Sequence, residues 1–237
     1  MKHATLNPRR PVHAFSLIEL LIVIAIIAIL AALIFPATRG INRNKIRSKA
    51  RAEVALLEMA IENYHSKLGH YPPDNAGKPW LNQLYYELLG TTNTGTTLRT
   101  VDGSAELRIP GDFTSVFGAN VSGFVNCSAG GGDEGHTAIR FLSDLKPSYV
   151  GTPKEVDAAS PFPVGAKFLV CSVPWPDVGV PPWRPLGVPG LNPFRYNSSN
   201  PTNNPNSFDL WVDVIIDGKT NRISNWSKEP IIVSQPW

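Results

Sequence analysis

Cysteine is scarce in this chain: there are 2 in 237 residues, Cys127 and Cys171, and no Cys-x-x-Cys. That excludes a disulfide-stapled scaffold and a thiolate zinc cluster. Either the pair forms one disulfide closing a long loop, as a compartment outside the cytoplasm would allow, or both are separate thiols. The five histidines, His3, His13, His65, His70 and His136, have no partners at metal-ligand spacing, so no zinc site is expected. The glycine run at 130–132 is not followed by Gly-Lys-Ser/Thr, which removes a phosphate loop. No serine sits in a nucleophile-elbow pattern, and no enzymatic activity is expected. Positive charge is also short where nucleic-acid binding would need it. From residue 52 onward 13 Lys and Arg face 18 Asp and Glu, a net of −5, although the whole chain is formally +3. Nucleic acid is therefore not an expected partner.

What the chain does have is one long apolar run, FSLIELLIVIAIIAILAALIF at 15–35, in which Glu19 is the single carboxylate. At about 1.5 Å per residue it reaches about 31 Å, matching a hydrocarbon core of about 30 Å. A carboxylate in such a helix is costly and calls for a partner. Three positive charges (Lys2, Arg9, Arg10) precede the run, and six (Arg39, Arg43, Lys45, Arg47, Lys49, Arg51) follow it. A secretory signal also begins with a basic region, but its apolar core is only about 7 to 15 residues. No small-x-small cleavage site follows the run before Pro36.

Beyond the run, Ile46, Ala50, Val54, Leu57, Ile61, Tyr64 and Leu68 recur every three or four residues, one apolar stripe on an amphipathic helix. Gly69 and Tyr71-Pro72-Pro73-Asp74 stop it, so a helix over 15–68 would be about 81 Å long. Residues 80–90 predict a short helix with Trp80, Leu84, Tyr85 and Leu88 inward. Residues 91–104 predict a turn or mobile loop, 128–135 a flexible acidic loop, and 141–145 one or two helical turns. A strand is expected at 167–171. The proline-rich segment 174–205 reads as a long surface excursion rather than core. A strand at 208–216 should run into a tight Asp217-Gly218 turn, with another strand at 222–226 closing a small antiparallel sheet.

The string HAFSLIELLIVIAIIAILAALIFPA resembles the N-terminal cleavage and methylation segment of type IV prepilins and type II secretion pseudopilins. The resemblance implies that a membrane prepilin peptidase cuts between Ala14 and Phe15 and then methylates the new Phe15 amine. Ala14 stands where the family usually has Gly. It further implies that Glu19 pairs with the positive terminal amine of a neighbouring subunit, setting register during assembly. Pro36 falls where the family often has a helix-bending proline. Tyr71-Pro72 and Asn192-Pro193-Phe194-Arg195-Tyr196 are similar to segments of the major pseudopilin. That subunit binds calcium in the loop after its Phe-Asp-Leu strand, which makes Asp213 and Asp217 the candidate ligands here, with a plain Asp-Gly turn as the alternative.

The implied fold is α+β and type IV pilin-like: a long N-terminal helix, half membrane and half amphipathic, packed on a small antiparallel sheet with long loops. Its parts are a cleaved leader at 1–14, a transmembrane helix at 15–36, the amphipathic continuation at 37–69, and a globular domain at 70–237. The implied function is that of a structural subunit of a type II secretion pseudopilus in the bacterial inner membrane. Its implied partners are prepilin peptidase, copies of itself, other pseudopilins and the inner-membrane assembly platform. The leader would stay in the cytoplasm and the domain lie outside, against the balance of flanking positive charge. A minor type IV pilin and a membrane-anchored binding module, with Trp175 and Trp183 as its recognition surface, are the alternatives.

Overall fold

The computed structural model describes residues 16–109, 111, 116–118, 121, 123–129, 137–143, 145–154, 165–176 and 186–234, with backbone alone at 33–39. The chain divides into two compact units, Met1–Asn44 and Lys45–Trp237, and each is described by itself. One helix, α1 (Leu17–Leu68), runs 52 residues and belongs to both. Its backbone stays helical through Pro36. In the first unit its apolar side chains are open, with Leu17 81% and Ile29 62% exposed. Among the described residues no helix is long and apolar enough to cross a membrane. The expected span 15–36 includes Phe15 and the side chains of 33–36, which lie outside them, as does the leader 1–14.

In the second unit the predicted stripe on α1 is the buried one. Ala50, Val54, Leu57, Ile61 and Tyr64 are all 3% exposed or less, and Ile46 and Leu68 pack half-buried against the same core. Each fully buried aliphatic side chain contributes about 1.5–3 kcal/mol. The helix ends where Gly69 takes φ +81°, a left-handed value only glycine adopts without strain, and its N–H closes on the His65 carbonyl at 2.8 Å. Polar side chains flank the stripe and fasten the helix to the domain. The Arg51 guanidinium donates to the carbonyls of Ser224, Ser227 and Lys228 at 2.6–2.7 Å. The buried Glu53 carboxylate accepts from the Ser172 N–H at 2.9 Å and from its hydroxyl.

The next helix, α2 (Leu84–Leu89), is short and every residue in it is buried. Trp80, expected inside this helix, precedes it and is half-buried. Glu87 of α2 organises its surroundings, accepting from the Tyr64 hydroxyl and the Val125 and Asn126 N–H groups at 2.8–2.9 Å.

Among the described residues the strands form three sheets rather than one. The first has the order β3-β2-β1-β4, from β1 (Thr91–Asn93), β2 (Thr97–Thr100), β3 (Glu106–Arg108) and β4 (Cys127–Ala129). Its β1–β4 pair is parallel and the others antiparallel. The expected loop at 91–104 is thus a hairpin. Its β-branched threonines suit a pleated strand, and Gly95, at φ +88°, donates its N–H to the Asn93 side chain at 2.8 Å to turn it. A two-stranded sheet pairs β5 (Val150–Gly151) with β6 (Phe168–Leu169). The third sheet is fully antiparallel, order β10-β9-β8-β7, from β7 (Arg195–Asn197), β8 (Asp209–Ile216), β9 (Lys219–Ser224) and β10 (Ile231–Val233). The tight turn is as expected: Asp217 and Gly218 at φ +52° and +73° join β8 to β9 as a two-residue hairpin.

Two expectations are corrected. The described residues of 141–145 are not helical; instead the N–H groups of Phe141 and Leu142 cap α2 through the Leu88 carbonyl at 2.8 and 3.1 Å. The described part of 174–205 is not a mere excursion, because Leu186, Phe194 and Tyr196 are core and Trp175 is only 6% exposed. Asp209 then ties the loop 202–204 to β8, accepting the N–H groups of Thr202, Asn203 and Asn204 at 2.9–3.0 Å. Of the two alternatives left open for the cysteines, the structure has separate thiols: Cys127 half-buried on β4 and Cys171 buried beside Glu53. The acidic loop expected at 128–135 falls largely outside the described residues, and so does Trp183.

Candidate functional site

The start of α1 is built by its own sequence. Ser16 precedes the first helical residue, and its hydroxyl accepts from the Ile18 N–H at 3.3 Å. Glu19 reaches back, and its carboxylate accepts from the Ser16 N–H at 2.9 Å. The Ser16 carbonyl takes the N–H groups of Glu19 and Leu20 at 3.1 and 3.2 Å. Glu19 thus makes its half of a capping box, while the Ser16 hydroxyl meets the second rather than the third N–H of the helix, so side chains satisfy two donors that a helix start leaves unmet. Glu19 therefore has a partner within its own chain, directly after position 15. The signal was readable, since Ser-x-x-Glu before an apolar run marks a helix start. Reading Glu19 only as a membrane carboxylate obscured it.

Downstream of this cap, Leu20, Leu21, Ile22, Val23, Ile24, Ile26, Ile27, Ile29 and Leu30 are all 46–62% exposed. Apolar side chains so open on every face of a helix need a nonaqueous or protein surround. Among them Glu19 is exposed and carries the only charge between Leu17 and Ala32.

The prokaryotic N-terminal methylation motif matches residues 9–35. The N-terminal segment of the chain is therefore similar to that of type IV pilins and pseudopilins. A stretch of 65 residues, 27% of this chain, is 36% identical to type II secretion system core protein G of Escherichia coli (strain K12), covering 45% of it. The protein of the same name from Pectobacterium carotovorum subsp. carotovorum is 33% identical over 65 residues, 27% of this chain and 42% of that protein. The chain thus spans less than half the length of these curated relatives. No solved structure matches it. The pilin-type α+β fold agrees with the motif: a long N-terminal helix whose second half buries one apolar stripe in a core shared with mostly antiparallel strands. Ala14 and Phe15, the expected cleavage and methylation residues, lie outside the described ones.

The pseudopilin calcium loop does not fit the residues present. Asp213 is fully buried, and its two carboxylate oxygens are held by Arg222 Nε at 2.9 Å and Nη2 at 3.1 Å. A second guanidinium, Arg195, lies 3.9 Å from it. Burial, with Arg222 nearby, draws Arg195 down to about 10 despite Asp213. Asp217 sits exposed at the two-residue turn. A divalent ion needs about six to eight oxygens and would have to displace two guanidiniums to reach the first of them. Among the described residues no group of three or more His, Cys, Asp or Glu could hold a metal.

Proposed function

We propose that this chain is a structural subunit of a type II secretion pseudopilus, cut between Ala14 and Phe15 by prepilin peptidase and methylated at Phe15. The observation that carries the reading is the capped start of α1: the methylation motif runs into a helix whose apolar side chains from Leu17 to Leu30 are open and whose single charge before Ala32 is Glu19. In the assembled state the exposed apolar helix would be covered by other subunits. Before assembly it would lie in the bacterial inner membrane, with the leader in the cytoplasm and the second unit outside. The new Phe15 amine stays protonatable after methylation and offers Glu19 a charge-assisted partner on a neighbouring subunit. The Glu19 carboxylate already accepts from the Ser16 N–H, which fixes its direction at the helix start. Other pseudopilins and an inner-membrane assembly platform are the remaining partners, and no reaction is assigned to the chain itself.

A minor pilin role is the second reading, favoured by the size of the part that the relatives do not cover. Intact mass and N-terminal sequence from native membranes, with and without prepilin peptidase, test the processing. A chain beginning at methylated Phe15 that is lost in the deletion strain supports it, and an uncut chain in both strains leaves only a membrane-anchored module. Crosslinking of Glu19→Ala then tests assembly: processed but monomeric protein is expected.

A further inference from the structure

The second unit contains a cavity of about 350 Å³ between the turn at 74–79 and the turn at 197–200, within the size range of small-molecule sites. Its rims are fastened to each other. Asp74 Oδ2 accepts from the N–H groups of Ser198 and Ser199 at 3.1 and 3.2 Å and from the Ser199 hydroxyl at 2.9 Å. The hydroxyls of Tyr196 and Ser198 donate to the Pro72 carbonyl at 2.9 and 2.8 Å. The walls are therefore set before any ligand arrives, which lowers the ordering cost of binding.

The lining combines two aromatic side chains, Tyr196 and Trp211, with the amides of Asn197 and Asn200 and one carboxylate. Gly77 keeps one side open, with nothing within 4 Å of where a Cβ would stand. No Lys or Arg lines the cavity, so an anion would meet Asp74 with no compensating charge. A cation is poorly served too, because three donors already answer Asp74. Trp211 is held in place edge-on to Trp226, with centroids 5.8 Å apart, and beneath the Arg222 guanidinium at 5.4 Å.

We propose that this cavity binds a neutral, hydroxyl-rich ring, that is, a single sugar residue. A sugar offers an apolar C–H face to the Trp211 ring and hydroxyls that both donate and accept, which matches the Asn200 side-chain amide at the rim. The site lies wholly in the second unit and does not depend on how α1 assembles, so its failure would leave the filament reading untouched.

The test uses the full chain in a zwitterionic detergent free of sugar headgroups. D-glucose, D-galactose and N-acetylglucosamine are titrated singly, with acetate and tetramethylammonium as charged comparisons, by saturation-transfer NMR and tryptophan fluorescence. Saturable binding of at least one sugar is expected, weakened tenfold or more in Trp211→Phe and in Asn200→Ala. The second variant guards against misfolding, because the turn uses the backbone groups of Asn200 and not its side chain. No saturable sugar effect, binding unchanged in both variants, or preference for either charged probe would overturn the proposal.

Discussion

Arg222 faces Asp213 across the β8–β9 pairing and grips its carboxylate through two bonds, at 2.9 and 3.1 Å. With Arg195 3.9 Å away and 1% exposed, one buried anion serves two guanidiniums. Removing the anion leaves the two cations without the carboxylate between them. Asp213→Asn is expected to destabilise the domain by about 3–5 kcal/mol, since breaking a buried pair strands its partners. Arg222→Met should cost less, because Arg195 still answers Asp213. Thermal unfolding in detergent orders the two variants, and added calcium should leave the wild-type midpoint unchanged. A calcium-dependent rise would mean that the ion displaces Arg222.

The two thiols differ in access. Burial pushes the Cys171 thiol well above its ordinary value and the Glu53 carboxylate adds to this, whereas Cys127 lies half-buried on β4. The thiolate is the reactive form, so a raised and buried thiol is inert. Maleimide should label Cys127 in the folded protein and reach Cys171 only on unfolding. Intact mass before any reduction should show both thiols free. A mass two hydrogens lower would instead place a disulfide between them.

Much of the architecture was legible because local pattern and tertiary burial agree there. The stripe from Ile46 to Leu68 needed only helical spacing, and the Asp217-Gly218 turn only two residues able to take positive φ. The 91–104 hairpin was not, because its strands are short and rich in polar threonines, and one partner, β4, comes from distant sequence. The segment 141–145 misled for a related reason. Its apolar residues suit a helical turn, but Phe141 and Leu142 are spent capping α2. At the candidate site, Glu19 was legible as a charge among apolar residues, while its bond to Ser16 required reading the same four residues as a helix start. Asp213 suggested a cation ligand until β9 placed Arg222 opposite it, a pairing that depends on register.

Gly151 marks a close approach between β5 and the segment after β6. A Cβ there would stand 2.6 Å from Val170 Cγ1 and 3.3 Å from Leu191 Cδ1. Val170 is 3% exposed, so its side chain has little room to yield. Gly151→Ala is expected to cost about 1–3 kcal/mol through overpacking. Combining it with Val170→Ala removes the obstructing methyl, so the double variant should be more stable than the sum of the two losses implies. Simple additivity in thermal unfolding would show that the backbone shifts to accept the methyl.

Glu87 should give the domain a recognisable pH dependence. Its carboxyl is raised above the ordinary 4.5, chiefly by burial, although the Asn126 and Val125 N–H groups, the Tyr64 hydroxyl and the charge of His70 all pull it down. Between the unfolded and folded values the folded chain keeps a proton that the unfolded chain has released. Stability must therefore fall as pH rises through that window. The contribution is complete below about 4.5 and gone once pH passes the folded value. Glu87→Gln cannot titrate, so its stability profile should lack this fall above about pH 4.5. The amide also turns an N–H group toward a backbone donor that Glu87 had satisfied, which should lower stability at every pH by about 1–3 kcal/mol. Midpoints measured from pH 4 to 8 for both proteins separate the two effects, and parallel profiles would mean that Glu87 titrates alike in the folded and unfolded chains.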